Sequence, residues 1–104
     1  MKKNGCDENL EFKKYFYCQM TYVEKWTFGY IIDSKLRNYD TSSDMSVDGF
    51  LKSLHFISQY APVSYSNVGQ YQVRYNDSDI YEADKKGWLK WYDDHKCDNL
   101  QLPK

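Results

Sequence analysis

The stretch SSDMSVDGFLKSLHFISQYAP, residues 42–62, decides how the rest of the chain is interpreted. Its first three residues are two serines and an aspartate, whose side chains cap helices by accepting hydrogen bonds from free backbone N–H groups. The apolar residues that follow recur at three- and four-residue spacing, and they are Val47, Phe50, Leu51, Leu54 and Ile57. Pro62 then disfavours helical backbone at the residue before it. The sequence therefore predicts a helix from about Asp44 to Tyr60 that stops before Pro62.

Three further segments are predicted to be helical. The residues from Leu10 to Val23 fit both a helical stripe and the alternation of a strand, and we predict a helix there. A second short helix is predicted from about Thr27 to Arg37, where apolar residues recur without an intervening proline. The last helix begins near Ser78-Asp79, and one of its sides carries Tyr81, Trp88, Trp91, Tyr92 and His95. Its opposite side is predicted to be solvated and carries Glu82, Lys85, Lys86, Lys90 and Asp93.

Alternating residues after Pro62 predict a β-hairpin with one exposed face. The alternating positions are Val63 and Tyr65 before a glycine-containing turn, and Tyr71, Val73 and Tyr75 after it. A two-stranded hairpin is marginal by itself, so we expect it to pack on the last helix. The predicted fold is α+β and mostly helical, with about four short helices and this one hairpin.

The length of 104 residues predicts a single globular domain over residues 1–104, with residues 1–8 flexible. The chain contains 11 Tyr, 5 Phe and 3 Trp, and disordered segments are poor in such residues. A folded domain with an aromatic-rich core is therefore expected.

Charge and hydropathy restrict the partners. With 14 basic and 15 acidic residues, the chain lacks the basic excess of a nucleic-acid reader, and no nucleic-acid partner is expected. The longest apolar runs are far shorter than the roughly 20 residues of a membrane span. Met1-Lys2-Lys3 is basic like a signal-peptide start, but a polar stretch follows it. We expect an envelope or secreted location only if a signal sequence was removed, and a cytoplasmic location otherwise.

Cys6, Cys18 and Cys97 are too few and too widely spaced for a disulfide framework, a zinc motif or a C-x-x-C redox motif. At most one intramolecular disulfide can form. A Cys18–Cys97 pair is the candidate in an oxidising compartment, and buried or idle thiols are the favoured alternative.

No complete catalytic, metal or cofactor motif is present. The segment Asp93-Asp94-His95-Lys96-Cys97 contains metal-ligand residue types but not their spacing, and a helix C-terminus explains His95 and Lys96 equally well. His55 lies beside the apolar stripe of its helix, where a structural role is expected. There is no G-x-S-x-G elbow and no glycine-rich phosphate loop. We expect no catalytic residue, no bound metal and no cofactor.

The C-terminal half resembles a known group of proteins. Asp79 and Asp84 followed by Trp88-x-x-Trp91-Tyr92 resemble the closing segment of small bacterial exported proteins of the HEAT-like helical class. The preceding Phe50-Leu51-x-x-Leu54 helix is similar to the helix before that segment. The resemblance implies helical packing and a protein-binding or envelope role.

The function predicted from these patterns is a non-enzymatic protein-binding or accessory domain. Its contact residues are predicted to be Tyr65, Tyr71 and Tyr75, provided that they are exposed, because tyrosine offers a large contact area at low entropic cost. One alternative is a small hydrolase or ligand-binding enzyme that uses His95 or His55 with neighbouring carboxylates. Another is a toxin-neutralising immunity protein. Trp88 and Trp91 share one helical face and are assigned to the core.

Overall fold

A computed structural model describes residues 6–40, 45–69 and 73–102. The described residues form three α-helices: α1 is Leu10–Phe28, α2 is Val47–Ser58 and α3 is Ser78–His95. Two short 3-10 segments, Ser34–Tyr39 and Tyr65–Asn67, lie in the connections. Helical residues make up 64% of the described part of the chain.

The helix α1 begins and ends on local chemistry. The Asn9 side chain accepts a hydrogen bond from the Phe12 N–H at 3.1 Å, which caps the first turn. Gly29 ends the helix with a φ of 86°, a left-handed conformation that costs glycine little. The predicted helix from Leu10 is therefore confirmed. The separate helix predicted over Thr27–Arg37 is wrong, because Gly29 interrupts it and only the 3-10 segment Ser34–Tyr39 follows.

The other two helices also begin at capping side chains. Ser46 accepts a hydrogen bond from the Gly49 N–H at 3.0 Å and starts α2, which ends at Ser58, before Pro62 as predicted. The cap predicted for that helix at Ser42–Asp44 lies outside the described residues. Asp77 accepts a hydrogen bond from the Asp79 N–H at 2.8 Å and starts α3, as predicted.

Trp88 and Trp91 of α3 were both assigned to the core. Trp88 is fully buried, whereas Trp91 is half-buried and packs against the core.

Helix α1 lies between the other two and runs antiparallel to both. Near its start, the Phe12 ring lies 6.2 Å from Phe56 and 6.4 Å from Tyr92, which belong to the late parts of α2 and α3. Near its end, the Phe28 ring lies 5.3 Å from Tyr81, at the start of α3. One core cluster joins all three helices, and its buried members include Phe16, Met20, Val23, Phe50, Leu54, Ile57 and Trp88.

Because α2 and α3 are parallel to each other, the connection between them must return along the length of the bundle, and the structure describes residues 59–69 and 73–77 of it. The side chains of the helices hold its backbone. The Trp88 Nε1 donates to the Pro62 carbonyl at 2.8 Å, and the Trp26 Nε1 donates to the Val73 carbonyl at 2.6 Å. The Ser64 N–H donates to the Asp84 carboxylate at 2.8 Å.

This connection is not the predicted hairpin, so the α+β class is wrong. Strand residues are only 2% of the described chain and amount to one isolated antiparallel bridge between Val68 and Tyr75. Tyr65 starts a 3-10 segment instead of a strand, and Tyr71 lies outside the described residues. Extended segments need partners for their backbone groups. Here several of those partners are helix side chains, so no two-stranded ladder is required.

Candidate functional site

A buried charge cluster lies where the end of α1 meets the start of α3. Glu24 is fully buried, and its Oε1 accepts hydrogen bonds from the Tyr81 hydroxyl at 2.6 Å and from the Lys85 Nζ at 3.0 Å. Its Oε2 accepts from the backbone N–H groups of Ile32 and Asp33 at 2.8 and 2.9 Å. Four donors therefore compensate the burial of this carboxylate, which would otherwise be costly.

The turn after α1 builds this arrangement. Gly29 reverses the chain, so that the backbone at Ile32 and Asp33 returns to the side of α1 that carries Glu24. Lys85 reaches this point from α3 and makes two further ion pairs, with Asp33 at 3.4 Å and with Glu82 at 3.2 Å. Its ammonium group thus contacts three carboxylates, which matches its three N–H donors.

The protonation states in the charge cluster follow from these contacts. Burial alone would lower the pKa of Lys85, but its contacts with Glu24 and Glu82 raise that pKa above the ordinary value. Burial alone would raise the pKa of Glu24, but the hydrogen bonds from the Asp33 backbone, Tyr81 and Lys85 hold it below the ordinary value. Burial and the hydrogen bond to Glu24 raise the pKa of Tyr81. The lysine and the glutamate are therefore charged near neutral pH, and the tyrosine is neutral.

An open cleft of about 470 Å³ adjoins the charge cluster. The residues that line it are Asp33, Glu82, Ala83, Lys85, Lys86 and Leu89. Two large apolar side chains precede Asp33 in the chain and are unusually exposed, Tyr30 at 63% and Ile32 at 41%. Both belong to the same turn as Asp33, which lines the cleft.

The charge cluster is not arranged for acid–base or nucleophilic chemistry. A nucleophilic lysine must be neutral, and the ion pairs of Lys85 favour its charged form. A general base needs a free carboxylate oxygen to accept a substrate proton, whereas each of the two oxygens of Glu24 already accepts two hydrogen bonds. Within residues 6–40, 45–69 and 73–102, no group of three or more metal-ligating side chains is placed to hold an ion.

Asp84 forms a second polar node, directed at the connection over residues 59–77. One of its oxygens accepts from the Ser64 Oγ at 2.8 Å, and the other accepts from the Ser64 N–H at 2.8 Å and from the Tyr75 hydroxyl at 2.7 Å. Burial and this hydrogen bond raise the pKa of Tyr75. These hydrogen bonds attach Ser64 and Tyr75, which belong to the connection, to Asp84 of α3.

The three predicted contact tyrosines have different surroundings. Tyr65 is 46% exposed, Tyr75 is only 4% exposed, and Tyr71 lies outside the described residues. Tyr75 therefore does not meet the condition of exposure on which its predicted role depended. Its ring packs 5.3 Å from that of Tyr81, inside the core.

The two histidines of the alternative enzyme prediction occupy different parts of the molecule. His55 lies on the exposed side of α2. His95 ends α3, where its ring stacks on Trp91 at 4.8 Å and its Nδ1 lies 2.8 Å from the Trp91 carbonyl oxygen.

The cysteine pairing differs from the predicted candidate. A disulfide joins Cys6 to Cys97, so the predicted Cys18–Cys97 pair is wrong. The favoured alternative of buried or idle thiols is also wrong for Cys6 and Cys97 and holds only for Cys18, which is free and half-buried within α1. Burial raises the pKa of the Cys18 thiol. Residues 1–8 were predicted to be flexible. Residues 1–5 lie outside the described residues, whereas Cys6 is held by the disulfide and Glu8 by a hydrogen bond from Tyr92.

Sequence reasoning missed Glu24 and Lys85. Lys85 was assigned to the solvated side of the last helix, but it is buried between Tyr81 and Trp88 on the core side. The available signal was spacing, because Lys85 lies four residues after Tyr81 and three before Trp88. Glu24 likewise lies four residues after Met20, on the buried stripe of α1. A charged residue within an apolar stripe points to a partner on another helix.

Comparison with known proteins adds no family. No protein-family model matches the chain, and neither the curated proteins nor the solved structures contain a match. The resemblance to HEAT-like exported proteins accordingly stays a prediction. None of the helices in the described part of the chain is both long enough and apolar enough to cross a membrane.

Proposed function

We propose that this chain is a non-enzymatic protein-binding domain whose contact surface is the cleft beside α3 together with Tyr30 and Ile32. The observation that carries this proposal is the exposure of these two large apolar side chains in the same turn as Asp33, which is one of the residues that line the cleft. Exposed apolar groups that adjoin a cleft with a polar rim are typical of interaction sites.

The position of this surface is held in advance of binding. The backbone N–H groups of Ile32 and Asp33 are bound to the buried carboxylate of Glu24, which is itself fixed by Lys85. A contact segment that is already ordered loses little conformational freedom when a partner binds, and this favours affinity.

The cleft favours one kind of partner chemistry. Ala83 and Leu89 supply apolar walls, while Asp33, Glu82 and Lys86 supply charges of both signs around them. We propose that the partner is a protein that inserts an apolar side chain between these walls and surrounds it with polar groups. The tyrosine ring of Tyr30 would then cover the edge of the contact.

Tyr65 is a second exposed position, in the connection between α2 and α3 and next to Ser64, which is bound to Asp84. It was predicted as a contact residue, and it serves as the internal comparison for the cleft. An oxidising compartment, such as a bacterial envelope or the extracellular space, is proposed with this function because the chain carries a disulfide.

Site-specific crosslinking tests the proposal. A photoreactive phenylalanine analogue at position 30 should capture a partner in the source cells, whereas the same group at the exposed position of Lys52 on α2 should not. With the purified partner, calorimetry should show that Tyr30→Ala and Ile32→Ala each weaken binding about tenfold. Lys52→Ala is the control and should leave the affinity unchanged.

The outcomes separate the alternatives. If Tyr65→Ala weakens binding and Tyr30→Ala does not, the contact surface belongs to the connection over residues 59–77 and the cleft proposal fails. The identity of the captured protein distinguishes an accessory domain from a toxin-neutralising protein, since both would use this surface in the same way.

A further inference from the structure

We infer that the Cys6–Cys97 disulfide is the centre of a redox-dependent clasp that holds both chain ends on the helical core, and that its reduction releases these ends while the three helices stay packed. We define the clasp as residues 6–9 together with residues 96–102. This inference is independent of the proposed binding surface, which lies at the opposite end of α1.

Three separate contacts form the clasp. The disulfide joins two cysteines that are 91 positions apart, with their Cα atoms 5.3 Å from each other. The Tyr92 hydroxyl donates a hydrogen bond to the carboxylate of Glu8. The Asn9 Nδ2 donates to the Leu100 carbonyl at 2.8 Å. The segment before α1 is thus joined to the segment after α3 by Cys6–Cys97 and Asn9–Leu100, and to α3 itself by Glu8–Tyr92.

The clasp is coupled to the first turn of α1 through one residue. The Asn9 side chain uses its oxygen to cap the Phe12 N–H and its nitrogen to hold the Leu100 carbonyl. The side chains of Leu100 and Leu102 are half-buried and pack against the core. Without the disulfide, only single hydrogen bonds and these edge contacts oppose the entropy of the free chain ends.

The packing at the centre of the core is made by residues outside the clasp. Phe12 packs against Phe16 at 5.9 Å and against Tyr92 at 6.4 Å, and these rings belong to the helices themselves. The fully buried residues of α1 and α3 begin at Phe12 and end before Cys97. Loosening the chain ends therefore removes contacts from the rim of the bundle and leaves its centre intact.

The reaction itself is a thiol–disulfide exchange with a dithiol reductant. One thiolate of the reductant attacks the Cys97 sulfur, which belongs to the more exposed cysteine, and the Cys6 thiolate leaves. The second thiolate of the reductant then attacks the sulfur that joins the reductant to Cys97, and the Cys97 thiolate leaves. The disulfide gains two electrons, the reductant becomes a disulfide, and each released thiolate takes up one proton at neutral pH.

Hydrogen exchange measured by mass spectrometry tests this inference on the full chain, in the oxidised form and after treatment with dithiothreitol. Exchange in residues 7–9 and 97–102 should become about tenfold faster or more on reduction, because local opening no longer works against the disulfide. In the reduced protein, exchange in the centres of α1, α2 and α3 should remain at least about tenfold slower than in residues 7–9 and 97–102 at pH 7 and 25 °C, because the helix centres still open only when the whole domain unfolds.

Single cysteine variants make the test independent of the reductant. Cys6→Ser and Cys97→Ser should each reproduce the exchange pattern of the reduced protein, whereas Cys18→Ser should keep the pattern of the oxidised protein. The inference is overturned if the helix centres of the reduced protein exchange as fast as residues 7–9 and 97–102, which would make the disulfide a condition for the fold. It is also overturned if residues 7–9 and 97–102 exchange at the same rate in both forms.

Discussion

Lys85 is a buried lysine that joins parts of the helical core by ion pairs. Its ammonium group is bound by Glu24, Asp33 and Glu82, which come from α1, from the turn after it and from α3. Removing one member of a buried ion pair leaves an uncompensated charge, and this costs more than the pair contributes. The contribution of Lys85 is therefore best seen when the lysine alone is replaced.

We expect Lys85→Met to lower the free energy of unfolding by about 3–5 kcal/mol, because the buried carboxylate of Glu24 loses its cation. Denaturant unfolding followed by tryptophan fluorescence measures this change. Lys86→Met is the matched control, since Lys86 is the exposed neighbour on the same helix, and its midpoint should not move. If the two variants are equally stable, Lys85 does not compensate Glu24.

The pKa of Glu24 also predicts how stability depends on pH. This pKa is lower in the folded chain than in the unfolded chain, where it is about 4.3. The stabilisation by the charged carboxylate is therefore complete above that value and is lost as the pH falls through the lower, folded pKa. We expect the wild type to lose stability more steeply than Glu24→Gln between about pH 5 and pH 3.

Urea unfolding of both proteins at several values of pH gives the two curves. Their difference in unfolding free energy should shrink on acidification. Curves that stay parallel from pH 7 down to about pH 3 would show that the carboxylate of Glu24 titrates with an unshifted pKa.

At the scale of the elements, the start of α2 approaches α1 closely because position 49 is a glycine. The Tyr22 hydroxyl of α1 accepts a hydrogen bond from the Ser46 N–H at 2.9 Å. A methyl group at Gly49 would overlap this hydroxyl and would lie 2.7 Å from the Tyr22 Cζ. Gly87, within α3, has nothing within 4 Å of the position that a methyl group would occupy.

The two glycines therefore form a matched pair for one prediction. Gly87→Ala should raise the free energy of unfolding by about 0.5–1 kcal/mol, because alanine favours the helix more than glycine does. Gly49→Ala should lower it by about 1 kcal/mol, since the displaced Tyr22 loses its hydrogen bond and its packing. Thermal unfolding of both variants measures the difference. Stabilisation of both variants to the same extent would contradict the close packing at Gly49.

At the scale of the whole molecule, the sequence predicted what local chemistry determines. The start of α3, the end of α2 before Pro62 and the helix from Leu10 are confirmed, whereas the predicted solvated side of α3 is wrong at Lys85, which is buried. The hairpin was wrong because backbone groups of Pro62, Ser64 and Val73 bind side chains of the helices, namely Trp88, Asp84 and Trp26, which are distant in sequence. An alternating pattern gives no information about such partners.

The candidate site was only partly predictable for the same reason. Tyr65 was identified from its residue type and is exposed, but the cleft depends on the turn at Gly29 and on the burial of Lys85. The pairing of Cys6 with Cys97 depends on the antiparallel packing of α1 and α3, which brings the start of one beside the end of the other. Cysteine spacing alone does not contain this arrangement.

The disulfide also predicts the stability of the whole domain. A crosslink between positions 91 apart restricts the unfolded chain, which corresponds to about 4–5 kcal/mol for a closed loop of this length. We expect Cys6→Ser to lower the free energy of unfolding by about this amount in urea, with Cys18→Ser near the wild type. A loss below about 1 kcal/mol for Cys6→Ser would contradict this expectation.

The Cα atoms of Cys6 and Cys97 are only 5.3 Å apart, and this short distance makes the chain suitable for circular permutation. A short peptide that joins position 97 directly to position 6 could replace the sulfur bridge, because it has to span only 5.3 Å and consecutive Cα atoms are already 3.8 Å apart. The coding sequence could then be opened between α2 and α3, so that the helices are translated in the order α3, α1, α2. In such a circular permutant the antiparallel pair that encloses Glu24 and Lys85 becomes contiguous in sequence, and α2 is the last helix to leave the ribosome.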